Sequence, residues 1–335
     1  MASHELATFL MHILKENIPL PAKIDLTLRN QPLISIITVN YNGLDLTVEL
    51  LDSIKQLSYK NVEIFVVDNA SKVNPQSFLN DQFHEVKCIR SEKNLGFAGG
   101  NNLAVKEAKG DFLFFINNDA EMTEGCLEKL VELFQSHPKL GVASPLLCYF
   151  NENPEENPDL IQYAGSTHLH PMTARNLTIG EKEINKGQYN EPQPTAYAHG
   201  AAMLVKREVI DNVGVMFEDF FLYYEELDWC ERIRRAGYEI WIEPRAKIYH
   251  KESVTVGAMS PLKTYYLNRN RIYFMRRNFS GLNLLLFSLF LIFFTIPKNL
   301  LVFLLRGQFE HAQVFIKAIV WNVTNVARNS SSALK

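Results

Sequence analysis

The stretch Gly110-Asp-Phe-Leu-Phe-Phe-Ile-Asn-Asn-Asp-Ala-Glu121 places five consecutive apolar residues directly before a group of two amides and two acids. A continuous apolar run of this length is typical of a strand that other elements cover on both faces. Polar groups at the carboxyl end of such a strand lie where open α/β sheets bind ligands. Asn and Asp are also ordinary turn residues, so the stretch by itself is compatible with a plain turn.

Strand and helix patterns alternate around this stretch. Apolar strand patterns at Leu33–Val39, Val62–Val67 and Val86–Ile89 each precede a helical pattern. A further helical pattern follows Thr123, which we expect to cap that helix. Four strand–helix repeats predict an α/β fold of Rossmann-like type, with a mostly parallel central sheet, right-handed crossovers and flanking helices.

Polar residues follow three of the predicted strands, and they are Asn40 and Tyr41, Asp68 and Asn69, and Asn117 to Asp119. The carboxyl ends of parallel strands meet at one edge of a sheet, so this pattern predicts a nucleotide cleft there. The first strand is not followed by G-x-G-x-x-G, and the chain has no G-x-x-x-x-G-K-[ST], which excludes the two most familiar nucleotide motifs. The glycines of Asn94–Asn102 open the third helix and allow close backbone approach to an anion.

Composition narrows the class of protein. The chain has 335 residues, of which 47% are hydrophobic and 21% charged, so we expect a globular protein with a substantial core. Its net charge of -3 gives no indication of a nucleic-acid partner. The four cysteines are scattered without metal-like spacing, which favours a reducing cytoplasm over a disulfide framework, and we expect no signal peptide.

The second half of the chain contains a long insertion and a second informative block. Residues 150–196 are rich in Pro, Asn and Glu and predict an irregular insertion of a kind that is often functional, and Tyr197–Val205 predicts a strand. A helix ending at Gly237 is predicted by a buried stripe of Leu227, Cys230 and Ile233. Its first turn then contains three acids, Glu225, Glu226 and Asp228. The helix dipole accounts for one or two of these acids, but not for the aromatic run Phe220–Tyr224 that precedes them.

Five blocks in this order resemble family 2 inverting glycosyltransferases with the GT-A fold, and within them the rhamnosyltransferase-like enzymes of bacterial cell-envelope polysaccharide synthesis. The blocks are Ser35–Asn42, Val66–Ser71, Asn94–Asn102, Ile116–Glu121, and Tyr224–Trp229 followed by His250. The resemblance implies a nucleotide-sugar donor, with dTDP-rhamnose as the expected one, and a divalent cation, Mn²⁺ or Mg²⁺. It also implies a glycan or lipid-linked acceptor at the cytoplasmic face of the inner membrane.

The resemblance also assigns roles to individual residues. It places the nucleotide sugar against Val39, Asn40, Tyr41, Asp68, Asn69, Asn94, Gly99, Asn101, Asn117, Asn118 and Arg269. Asn117-Asn118-Asp119 takes the position of the family's D-x-D metal motif, with an amide in place of the first acid. Asp119 is then one metal ligand. His250 is the second, because mycobacterial galactofuranosyltransferases have the same spacing from base to histidine as that from Glu226 to His250.

Inverting transfer explains why these residue types are needed. The acceptor hydroxyl must lose a proton to a carboxylate, which the resemblance assigns to Glu226, with Glu225 and Asp228 as alternatives. A metal ion neutralises the charge of the leaving nucleoside diphosphate, and one imidazole ligand favours Mn²⁺. Two rival functions stay open. A sugar nucleotidyltransferase would need a Gly-rich basic loop after the first strand, and a non-catalytic glycan- or nucleotide-binding scaffold is suggested by Asn117.

The expected domains are a helix and linker at 1–30, a GT-A domain at 31–260 and a hydrophobic helical extension at 261–335. The GT-A domain divides into a nucleotide-sugar half, 31–121, and an acceptor half, 122–260. The first segment has leucines at helical spacing, Leu6, Leu10 and Leu14. In the extension, Asn278–Pro297 has no charge and basic residues lie on both sides, so we expect a hairpin or in-plane helix pair broken at Pro297 rather than one crossing. The alternative is a buried interface in a homo-oligomer.

Overall fold

The computed structural model describes residues 31–153, 158–251 and 260–326. The chain divides into two units, Met1–Pro32 and Leu33–Lys335, and the fold described below is that of the second. The helix and linker predicted at 1–30 lie outside the described residues.

The first half of the second unit alternates strands and helices as predicted. Its elements are β1 (Ile34–Asn40), α1 (Leu44–Gln56), β2 (Val62–Asp68), α2 (Gln76–Gln82), β3 (Val86–Arg90), α3 (Gly96–Val105) and β4 (Phe112–Ile116). The four strands are parallel in the order β3-β2-β1-β4, and each lies within one residue of its predicted bounds. Strand β4 is buried on both faces because its alternate residues enter two different cores: Phe112, Phe114 and Ile116 on one side, Leu113 and Phe115 on the other.

The second half continues the same sheet with mixed strand directions. Its elements are β5 (Ala120–Met122), α4 (Cys126–Ser136), β6 (Leu140–Tyr149), β7 (Ile161–Tyr163), β8 (Gln193–Pro194), β9 (Ala202–Lys206), α5 (Arg207–Val213), α6 (Glu225–Arg235) and β10 (Glu239–His250). The sheet runs on from β4 through β9, β6 and β10 to β5. Only β6 and β10 pair in parallel on this path; the other pairs are antiparallel. The predicted parallel pairing therefore describes the first four strands, where strand–helix alternation holds.

Two local predictions were wrong. Thr123 does not cap α4, because its hydroxyl donates to the carbonyl of Lys247 at 2.6 Å, and the helix begins at Cys126 after a left-handed Gly125. The predicted strand at Tyr197–Val205 begins only at Ala202, because the residues before it form a turn.

The C-terminal helices are α7 (Pro261–Asn278), α8 (Gly281–Phe290), α9 (Ile296–Leu305) and α10 (Phe309–Thr324). A π-helical turn at Leu291–Thr295 joins α8 to α9, so Gly281–Leu305 is one continuous helix of 25 residues. The predicted break at Pro297 is absent, since the wider turn accommodates the missing proline N–H. The chain reverses at Gly307 instead, and α10 packs back against α7.

By length and composition the helix Gly281–Leu305 meets the requirement for a membrane span. Its 25 residues correspond to about 37 Å, against a hydrocarbon core of about 30 Å. Its mean hydropathy reaches 2.0, and only 11% of its most apolar window is buried within the molecule.

Candidate active site

A cavity of about 460 Å³ lies at the carboxyl ends of β1, β2 and β4. Ten of the residues that the resemblance assigns line it: Val39, Tyr41, Asn69, Asn94, Asn117, Asn118, Asp119, Glu225, Glu226 and His250. The wall also includes residues from the insertion, from the turn before β9 and from the start of α7. The cavity is where sheet topology predicts a ligand, so these residues form one site.

Asp119 and His250 meet because of the sheet register. Strand β5 follows Asp119 and pairs antiparallel with the end of β10, so that His250 lies opposite Ala120. Asp119 Oδ1 is 3.1 Å from His250 Nε2, and both side chains are buried. The amide Nδ2 of Asn117 lies 3.2 Å from the same ring nitrogen. The two predicted metal ligands are therefore adjacent.

This pair fits a divalent cation. Asp119 supplies a carboxylate oxygen and His250 an imidazole nitrogen 3.1 Å apart, and these are donor types that would hold Mn²⁺ or Mg²⁺. In the described ranges no group of three or more His, Cys, Asp and Glu side chains could hold a metal by itself. A cation here would thus take its remaining ligands from phosphate oxygens and water, as is usual for magnesium at phosphate sites.

The acid pair lies at the start of α6. Glu225 is 3% exposed, and its Oε2 has no hydrogen-bond partner among the described residues. Burial, and then the charge of Glu226, raise the pKa of Glu225 well above its usual value. Burial also raises the pKa of Glu226, against which backbone N–H groups of the first helical turn act. The Glu226 side chain lies over Gly200, where an added Cβ would be 3.6 Å from its Cγ.

Asp228 lies outside the cavity and is not available as a base. Its carboxylate accepts from the guanidinium groups of Arg232 and Arg277, each at 3.1 Å, and from the amide of Asn278 at 2.8 Å. Asp228 instead ties α6 to the end of α7.

The loop before the acid pair has strained backbone. Phe221, Tyr223 and Tyr224 have φ values of 64°, 69° and 76°, in the left-handed region that non-glycine residues rarely adopt. Asn270 on α7 holds this loop, because its amide donates to the carbonyls of Phe220, Leu222 and Tyr223 at 2.7–2.8 Å. The aromatic run is thus a support that aims Glu225 and Glu226 into the cavity.

Arg269 does not reach the cavity, so its predicted contact with the donor diphosphate is corrected. Its guanidinium donates to the carbonyls of Asp219 and Phe220 and stacks over Tyr266 and Trp321. These contacts assign Arg269 to the same loop support as Asn270.

Four further predicted residues lie behind the wall rather than on it: Asn40, Asp68, Gly99 and Asn101. Asn40 donates to Asp68 at 2.9 Å, and Asp68 forms an ion pair with Arg90. Asn101 donates to the carbonyl of Phe97 at 3.0 Å. Asn40 and Asp68 are the last residues of β1 and β2, and they directly precede the lining residues Tyr41 and Asn69.

Sequence reasoning missed three polar residues of the wall: Gln162, His199 and Lys263. The backbone N–H of Ala201 donates to His199 Nδ1 at 3.1 Å, and burial lowers the pKa of His199 to about 3, followed by the effect of His250. His199 is therefore a neutral imidazole. Its His-Gly-Ala-Ala context was a visible signal, whereas Gln162 is placed by the sheet alone.

Residues 35–214 match the sequence family described as Glycosyl transferase family 2. The low-salt glycan biosynthesis hexosyltransferase Agl10 of Haloferax volcanii is 26% identical over 248 residues, which cover 71% of this chain and 74% of that protein. The N-acetylglucosaminyl-diphospho-decaprenol L-rhamnosyltransferase of Mycobacterium tuberculosis is 22% identical over 237 residues, which cover 66% of this chain and 77% of that protein.

The structure is similar to that of the mannosyltransferase PcManGT from Pyrobaculum calidifontis, solved in complex with GDP-Man and Mn²⁺. The TM-score is 0.54 at 16% identity, over 100% of this chain and 90% of that chain, which confirms the predicted fold. The match to Glycosyl transferase family 2 extends over more than half of the chain, so this protein belongs to that family and is a glycosyltransferase.

Proposed function

We propose that this chain transfers a sugar from a nucleotide-sugar donor to a lipid-linked acceptor with inversion, using a divalent cation held by Asp119 and His250. The observation that carries the proposal is that this pair and the acids Glu225 and Glu226 face one cavity at the carboxyl edge of the sheet. Asp119 and His250 would hold the cation that stabilises the departing diphosphate, and the glutamate pair would accept the proton of the attacking hydroxyl.

Glu226 is the general base. It is the less buried of the two acids and lies over Gly200, which leaves room for a sugar hydroxyl beside it. A raised pKa makes its carboxylate a stronger base for that proton. Glu225 is the more deeply buried member and keeps its proton when Glu226 is charged, so that the pair carries one negative charge.

Asp119 and His250 hold the cation, which when bound would neutralise negative charge on the leaving diphosphate. Asn117 contributes a neutral amide where the family has an acid, which lowers the negative charge of the metal site. Lys263 is the lysine or arginine side chain that lines the described part of the cavity wall. We assign to it the diphosphate contact that Arg269 does not make.

Rhamnose carried by dTDP is the proposed donor, and a polyprenol-linked sugar diphosphate is the proposed acceptor class. The sugar and the acceptor class are supported by the mycobacterial relative, whose name describes an L-rhamnosyltransferase acting on a diphospho-decaprenol. The dTDP carrier is what the resemblance to rhamnosyltransferases implies. A lipid-linked acceptor also gives a use to the apolar helix of this chain.

The helix Gly281–Leu305 is the proposed membrane contact, with the catalytic unit at the cytoplasmic face. Large apolar side chains along it are exposed, among them Leu282, Leu285, Ile292, Phe293, Phe294, Leu301 and Leu305. Exposed apolar surfaces of this size mark membrane or protein interfaces. Arg306 and Lys317 follow the helix, which agrees with a cytoplasmic location of its flanks.

Calorimetric titration of the full chain with dTDP, UDP and GDP, each with and without Mn²⁺, tests the proposal. We expect one nucleotide to bind, more tightly with Mn²⁺, and Asp119→Asn to remove the metal dependence. The matched control is Asp81→Asn, an exposed acid on α2. Binding of no nucleotide by folded protein would contradict the proposal and favour the scaffold function. Release of pyrophosphate from a nucleoside triphosphate and a sugar phosphate would favour the nucleotidyltransferase.

A further inference from the structure

His250 has a second ring nitrogen, and this nitrogen faces a residue of the insertion. Nδ1 of His250 lies 2.9 Å from Oε1 of Gln162, whose side chain is 6% exposed. Gln162 lies on β7, and β6 separates β7 from β10 in the sheet. The register places Ile161 opposite Cys148 and His250 opposite Tyr149, so the sheet itself fixes the approach of Gln162 to His250.

This contact selects one tautomer of the imidazole. An amide oxygen only accepts hydrogen bonds, so Nδ1 must carry the proton. The neutral ring has a single N–H, and Nε2 therefore presents its lone pair to Asp119 and Asn117. A carboxylate oxygen and an imidazole lone pair that face each other at 3.1 Å repel unless a cation, either a metal ion or a second proton on the ring, lies between them. The opposite tautomer would direct an N–H at Asp119 and close the site to a metal.

The surroundings of His250 do not set this tautomer in another way. His199 packs near it, with ring centroids 6.3 Å apart, but His199 is neutral. Asn117 meets Nε2 and donates to it, which agrees with the same tautomer. Among the described residues, Gln162 is the hydrogen-bond partner of Nδ1.

We propose that Gln162 is a positioning residue for the metal, because it holds His250 in the tautomer that leaves Nε2 free for a cation. The inference rests on the proposed function, since it takes Asp119 and His250 as the metal ligands. Partners of this kind at other metal sites raise metal affinity by roughly 10- to 100-fold. Through Gln162, the insertion would orient the metal ligand His250.

Two measurements on the full chain in detergent test the inference. ¹⁵N NMR of histidine-labelled protein without metal, at pH 8, reports the tautomer of His250, whose signal is assigned by its loss in His250→Gln. EPR of free Mn²⁺ reports the affinity for the metal alone. The variants are Gln162→Leu, which removes the acceptor, and Gln162→Glu, which keeps it. Gln193→Leu, an exposed position on β8, is the matched control.

We expect the Nδ1–H tautomer in the natural protein, in Gln162→Glu and in Gln193→Leu, and its loss in Gln162→Leu. We expect Mn²⁺ to bind roughly 10- to 100-fold more weakly to Gln162→Leu, and at least as tightly to Gln162→Glu. An unchanged tautomer and Mn²⁺ affinity in Gln162→Leu would overturn the inference. If that variant does not fold, a tenfold loss of affinity in Gln162→Glu would overturn it. Should the natural protein bind no Mn²⁺, the proposed metal role fails, and the NMR result alone decides the role of Gln162.

Discussion

Glu225 and Glu226 place two carboxyl groups side by side in the first turn of α6, and the folded state favours a proton on Glu225. Burial and the charge of Glu226 raise the pKa of Glu225 above its unfolded value. When an acid has a higher pKa in the folded state than in the unfolded state, its contribution to the free energy of unfolding is fully present below the unfolded pKa. That contribution is lost as the pH rises through the folded pKa. Glu225 therefore destabilises the fold at neutral and basic pH.

We expect Glu225→Gln to unfold at a higher temperature than the natural protein at pH 8, because the amide removes the ionisation. The difference should shrink towards pH 4, where the unfolded state also begins to take up the proton on Glu225. Differential scanning calorimetry at the two pH values checks this, with the exposed Glu181→Gln as control. An equal difference at both pH values would contradict the stated pKa direction.

Gly96 shows how closely two loops approach at the cavity wall. It has φ of 72°, its neighbour Phe97 donates to the carbonyl of Phe221, and an added Cβ would lie 2.1 Å from that oxygen. Gly125 has a similar φ of 76°, but an added Cβ would meet nothing within 4 Å. An alanine at Gly125 would suffer only the strain of a positive φ, whereas an alanine at Gly96 would also collide with Phe221.

We expect Gly125→Ala to lower the free energy of unfolding by about 1–2 kcal/mol, the cost of a left-handed alanine. Gly96→Ala should cost more and should also weaken nucleotide binding, because the loop at Phe221 must move. Chemical denaturation and nucleotide titration measure both effects. Equal losses of stability in the two variants, with unchanged binding in Gly96→Ala, would argue against a tight contact.

Helix α7 supports the acid pair indirectly, because Asn270 on this helix holds the strained loop that precedes Glu225. Asn270→Ala would remove the amide donor that the carbonyls of Phe220, Leu222 and Tyr223 share, and Phe220 would keep only its bond from Arg269. We expect the free energy of unfolding to fall by about 1–3 kcal/mol. We also expect kcat to fall by more than KM changes, because the Glu226 carboxylate would no longer be held in position. Asn268→Ala is the matched control, since Asn268 donates within its own helix to Thr264. A fall in stability with unchanged kcat would leave Asn270 a purely structural role.

At the level of elements, the sequence predicts the first four strands well and the later ones poorly. Apolar runs such as Phe112–Ile116 are short, continuous and bounded by polar residues, so their period and ends are legible. Strand β6 has Gly141 and Pro145 inside it, which weaken a strand pattern, and β7 has only three residues. Strand β6 forms by pairing with β10 and β9, and β7 forms by pairing with β6; such pairing is not visible in a local pattern.

The contrast between local patterns and strand pairing also explains which site residues were predicted from the sequence. Asp119, His250 and Glu226 belong to blocks that the sequence displays, and the fold brings them to one cavity. Arg269 was misplaced because a helical arginine shows no sign in the sequence of which side it faces. Gln162 was missed because its meaning comes from the register of β7 on β6, inside a segment without pattern.

For the whole molecule, the exposed apolar helix predicts attachment to lipid. Phe293 and Phe294 are 66% and 64% exposed. We expect the double variant Phe293→Glu/Phe294→Glu to lose flotation with vesicles of anionic phospholipid. Leu177→Glu, at an apolar side chain that is 72% exposed in the insertion, should float like the natural protein. A natural protein that stays unbound and elutes as a dimer would indicate that this helix is an interface between two copies.

Glu226 acts as the base in the proposed transfer, and the rate of nucleoside diphosphate release measures that role. The assay compares the natural protein, Glu226→Gln and the control Glu181→Gln, with dTDP-rhamnose, Mn²⁺ and a polyprenol-linked N-acetylglucosaminyl diphosphate. We expect release by the natural protein and the control, and a rate roughly 10²- to 10⁴-fold lower in Glu226→Gln. A full rate in Glu226→Gln would contradict the account.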